Sequence, residues 1–89
     1  MARREIVGAL IDSNGNILEL CYFNETMELI KRSEDKVIWD LTDGRHQYFV
    51  VSGSDRADIN VVNTKSGFRL RAISQNSGKQ VELFLPSCN

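Results

Sequence analysis

Residues 33–44 read Ser-Glu-Asp-Lys-Val-Ile-Trp-Asp-Leu-Thr-Asp-Gly, and how that stretch folds decides the class of the domain. Val37, Ile38 and Trp39 are β-formers, so a strand running into an Asp-Gly turn is one reading. The two ends favour a helix. Ser33 is a good N-cap, because its hydroxyl can satisfy an orphan backbone amide. Glu34 and Asp35 fall in the first turn, where negative charge suits the helix dipole. Val37, Ile38 and Leu41 share one face. Gly44 can end the helix in a left-handed conformation. A short helix near 34–43 is therefore expected, with its apolar face turned inward.

On the N-terminal side, residues 5–11 and 17–23 are two apolar runs separated by Asp-Ser-Asn-Gly-Asn. Asn and Gly tolerate the positive φ that tight turns demand, so the pair reads as a hairpin. Residues 24–32 suit either two turns of helix or an extended segment; Met27 and Leu29 alternating with Glu28 and Ile30 favour extended. On the C-terminal side, residues 46–52 form an apolar run expected to be a central strand. Residues 58–63 give the next strand, and residues 68–73 alternate cleanly, with Arg69 and Arg71 on one face. Residues 81–85 add a last short strand or pack across the core. The expected fold is α+β: a small antiparallel sheet of about five or six strands, in the order β-β-α-β-β-β, with the one helix on a face of it.

Length and composition bound the rest. The chain has 89 residues, enough for a single domain and one thin core. A net charge of −1 lacks the footprint of a nucleic-acid or anionic-membrane binder. The charge is uneven, however: residues 1–44 carry −4 and residues 45–89 carry +3. The apolar run at 6–11 is too short for a signal peptide or a membrane helix, so a cytoplasmic protein with no membrane association is expected. Cys21 and Cys88 are too few for a disulfide scaffold; a bridge between them is conceivable if both lie near one sheet, but buried reduced thiols are the favoured expectation.

The order Leu20-Cys21, Ser33 to Ile38, Gly44-Arg45-His46-Gln47-Tyr48-Phe49-Val50, Leu70-Arg71 and Leu85-Pro86-Ser87-Cys88 resembles a bacterial family of small domains of unknown function. Members carry a Leu-Cys hairpin strand, a Ser-capped helix, a Gly-x-His-x-Tyr-Tyr-Val strand, a Leu-Arg-Thr strand and a terminal Leu-Pro-x-Cys. This chain departs from it at Ala72, where the family has Thr, and at 81–83, where the family has an Asn-Asn-Leu run. The resemblance implies the helix at 33–43 and supplies no activity.

Chemistry-bearing motifs are sparse. Asp12-x-Asn14-x-Asn16 begins like a calcium loop, but Ile17 and Phe23 occupy the positions that need Gly and Glu, so it reads as the hairpin turn. His46 is the only histidine, and at a helix end it is expected to meet backbone carbonyls rather than act as a base. No catalytic, cofactor-binding or metal-binding residue is assigned, and no cofactor is expected. Two binding surfaces stand out. Trp39 points away from the apolar helix face; it is expected to be covered by Met27, Leu29 and Ile30, and if exposed it is the candidate partner-binding residue. Lys65, Arg69, Arg71 and Lys79 form a candidate nucleic-acid-binding strand face, although a solvated face paired with Glu82 is favoured. The expectation is a non-catalytic protein-interaction or accessory module with a protein partner, ahead of a nucleic-acid-binding module.

Overall fold

The computed structural model describes residues 2–88 and is an α+β domain. Its elements are β1 (Ala2–Glu5), β2 (Gly8–Ile11), β3 (Ile17–Phe23), β4 (Leu29–Ser33), α1 (Glu34–Thr42), β5 (His46–Ser52), β6 (Asp55–Thr64) and β7 (Gly67–Ser74). They make two sheets, ordered β1-β5-β6-β7 and β2-β3-β4. All pairings are antiparallel except β1 with β5.

The helix forms where its ends require it. Ser33 has extended backbone geometry at the N-cap, but its side chain makes no capping hydrogen bond. Gly44 takes the left-handed conformation, φ 73°, and its amide reaches back to the Leu41 carbonyl. Of residues 24–32, expected as an extended segment, 24–28 form the turn between β3 and β4, where the Met27 amide donates to the Asn24 carbonyl, and only the part from Leu29 onward is extended, as β4. The apolar run at 5–11, expected as one strand, divides between the sheets. The Ile6 amide donates to the Phe49 carbonyl and the next amide, Val7, donates to the Cys21 carbonyl. No turn residue marks that handover, because an extended chain can change partners without bending sharply. This gives seven strands, two more on the helix's N-terminal side than the expected order.

The core joins both sheets and the helix. It holds Ile6, Leu20 and Tyr22 from the first half, Val37 from α1, and Tyr48, Ile59 and Leu70 from the second. Residues 80–88 form no strand beyond one isolated bridge between Ile73 and Gln80. They cross the core as a strap, with Val81, Leu83 and Leu85 packed against it. The strap's Pro86 carbonyl accepts from the Ala9 amide of β2. Beyond it, Cys88 is bonded to Cys21, Cα to Cα 5.9 Å, which replaces the expected free thiols. The fold brings these two residues together across a sequence separation of 67, a proximity that no local pattern encodes. Gly8 lies under the bond: a Cβ there would stand 2.7 Å from the Cys21 sulfur and 2.9 Å from the Pro86 carbonyl oxygen.

Candidate functional site

Helix α1 presents two unlike faces. Outward, Trp39 is 56% exposed, so the expected cover by Met27, Leu29 and Ile30 does not form. Leu29 lies across from Phe23 on β4, at the far end of the strand that leads into α1. Met27 is itself exposed at the hairpin turn. The Arg45 guanidinium lies over the indole instead, 4.9 Å from the ring centroid, and pairs with Asp43. Cation and indole thus form a preassembled surface unit.

The inward face carries an unexpected charge. Asp40 is 3% exposed and shares the buried side with Val37. Its carboxylate accepts from the Tyr48 hydroxyl at 2.6 Å and from Arg32 Nη2 at 3.0 Å. Arg32 Nε stands 2.8 Å away, close enough for charge pairing but without hydrogen-bond alignment. Arg4 Nη1 is 3.6 Å from the same carboxylate and donates instead to the Tyr48 oxygen at 2.6 Å. Burial pushes the Asp40 pKa up, yet the Tyr48 and Arg32 contacts outweigh it and hold the carboxyl below its ordinary value. Burial first, then the bond to Asp40, push the Tyr48 phenol up to about 12. Asp40 lies three residues after Val37 and next to Leu41, so helical phase alone puts it on the core side. That was the signal in the sequence for this network.

His46 opens β5, opposite Ala2. Its Nδ1 is buried with no hydrogen-bond partner, so the expected contact with the helix-end carbonyls is not made. Burial and then the neighbouring Arg4 lower its pKa, leaving the ring neutral at neutral pH.

The four basic residues of the second candidate surface separate. Arg69 Nε donates to Glu34 at 2.9 Å, and its Nη2 lies 3.7 Å from Asp12. The same Glu34 carboxylate accepts the Leu70 amide at 3.3 Å, so it caps part of the β7 edge. Arg71 donates to the Asn16 side chain at 2.9 Å and to Gln80 at 3.3 Å. Neither arginine pairs with Glu82; β7 is an edge strand, and its side chains reach the helix start and the first hairpin instead. Only Lys65 and Lys79 remain exposed, in turns at different places along the sheet.

The Asp12 carboxylate accepts the Asn14 and Asn16 amides at 2.9 Å each and the Asn16 side chain. Those bonds, the Asn16 side chain foremost, lower its pKa, and they make the segment a hairpin turn. Among the described residues no group of His, Cys, Asp and Glu is placed to hold a metal ion, and no helix is long and apolar enough to cross a membrane. No family model, no curated protein and no solved structure matches the chain, so the family resemblance rests on its motifs alone.

Proposed function

We propose that this chain is a small non-catalytic module that works by binding another protein, and that the partner docks on the outer face of α1 around Trp39. The observation that carries this reading is the exposure of Trp39 with Arg45 laid across it. Tryptophan and arginine are enriched among the residues that dominate binding energy at interfaces; tryptophan buries much area at small entropy cost, and arginine adds a planar set of donors. Here the helix is held from beneath by Val37 and by the Asp40 network, so the anchor is preorganised. Asp35, Lys36 and Thr42 around it are exposed and polar, as an interface rim is.

The nucleic-acid reading is the weaker one. Arg69 and Arg71 spend their donors on Glu34, Asn16 and Gln80, which leaves Lys65 and Lys79 as a thin source of phosphate contacts. The cytoplasmic placement belongs to the same proposal, and the Cys21–Cys88 bond weighs against it, since such bonds persist in oxidising compartments. Alkylating the protein in intact cells before extraction decides that point.

The test of function is affinity capture from the chain's own cells, with nuclease added to half of the sample. A protein that survives nuclease and is lost with Trp39→Ala supports the proposal. Recovery that depends on nucleic acid and fails in an Arg69→Ala/Arg71→Ala variant overturns it.

A further inference from the structure

The charges around Asp40 do not cancel. Arg32 reaches both carboxylate oxygens, at 3.0 and 2.8 Å, and matches the Asp40 charge by itself. Arg4 is a second cation beside it, 3.6 Å from the carboxylate, with its hydrogen bond going to the neutral Tyr48 oxygen. Its side chain is only 21% exposed, and the guanidinium lies 4.5 Å from the Tyr22 ring centroid. A partly buried cation with no carboxylate of its own favours an anion nearby.

There is room for one. Arg4 lines a groove between β1 and the β3–β4 turn with a cavity volume of about 700 Å³, shared with Arg3, Tyr22, Phe23, Asn24 and His46. That is the size range of small-ligand sites. Arg3 makes no ion pair among the described residues. Glu5 and Glu25 stand on the same walls, and neither pairs with Arg3 or Arg4. His46 lines the same wall. Half-exposed Phe23 offers an apolar flank beside the charge. We infer that this groove binds a small molecule bearing an oxyanion, carboxylate or phosphate, held by Arg4 with Arg3 adding charge from the rim, and with its apolar body on Tyr22 and Phe23. This site is separate from the Trp39 face and stands whether or not that face binds a partner.

Sodium benzoate and inorganic phosphate are the probes, titrated at ionic strength held constant with chloride. The reporter is the ring signals of His46 in proton NMR, unambiguous because the chain has one histidine. A saturable shift is expected with at least one probe. Saturation by benzoate alone assigns the groove to carboxylates, and by phosphate alone to phosphates. Arg4→Gln should weaken binding at least tenfold and Arg3→Gln several-fold. Arg3 has no structural bond to lose, so its variant decides the matter if Arg4→Gln does not fold. Shifts that never saturate, or a saturable shift unchanged by Arg3→Gln and by any folded Arg4→Gln, overturn the inference.

Discussion

Asp40 is the residue on which the helix and both sheets converge, because Arg32 of β4, Tyr48 of β5 and, through Tyr48, Arg4 of β1 all meet it. Removing one side of a buried ion pair leaves the other uncompensated, which costs more than the pair itself contributes. Asp40→Asn should therefore destabilise the domain by about 3 kcal/mol, discounted from the fully buried case because Arg32 is partly solvated. Urea denaturation at pH 7 checks this. The pH dependence has a definite sign. The folded carboxyl titrates below its ordinary value of 3.8, so its contribution is complete above that value and is lost as the pH falls through the lower folded one. The acid limb of the stability curve should be shallower in Asp40→Asn than in the wild type; identical acid limbs would contradict the network. Gly8 makes a second residue-scale case. Its missing side chain admits the Cys21–Cys88 bond and the Pro86 carbonyl, so Gly8→Ala should cost about 1–3 kcal/mol. The same change in a Cys88→Ser background should cost measurably less.

At the scale of elements, the β3–β4 turn stores identifiable strain. Met27 has φ 64°, the only non-glycine residue with positive φ among the described residues. Its side chain is exposed and does nothing to compensate. The left-handed conformation costs a side-chain-bearing residue roughly 1–2 kcal/mol, so Met27→Gly should raise stability by about 0.5–1 kcal/mol, the gain being reduced by glycine's entropy. A thermal melt showing lower stability would contradict this reading of the turn. The elements also show what a sequence makes legible. The helix at 34–43 was readable because both of its end signals are local: acidic residues at the start and a glycine that accepts positive φ at the end. The hairpin of β2 and β3, residues 8–23, was readable for the same reason. The division of 5–11 between two sheets was not, since the change of partner happens inside one continuous extended run. The pairing of Arg69 with Glu34 was not legible either. It spans 35 residues and depends on β7 lying at an edge beneath the helix start. Helical phase set Trp39 off the apolar face, but the expected cover by Met27, Leu29 and Ile30 was wrong, because it depended on whether β4 ran past the indole or over it, and register settles that.

For the whole molecule, the strap at 80–88 and its bond to Cys21 close most of the chain into a loop. Cross-linking residues 67 apart restricts the unfolded chain by roughly 4 kcal/mol in the loop-entropy account. Reduction, or a Cys21→Ser/Cys88→Ser variant, should lower stability by about 2–4 kcal/mol, read from the denaturant midpoint with and without a dithiol. An unchanged midpoint would show that the strap is held by Val81, Leu83 and Leu85 alone. Two sheets, one helix and one strap leave the outer face of α1 uncovered, and the proposed function rests on that face. The most direct test places a photoreactive benzoyl-phenylalanine at position 39, and separately at position 69, in the chain's own cells, with irradiation before lysis. The predicted result is a discrete protein adduct from position 39 and none from position 69. Nucleic-acid adducts from position 69, with nothing captured at position 39, would contradict the account.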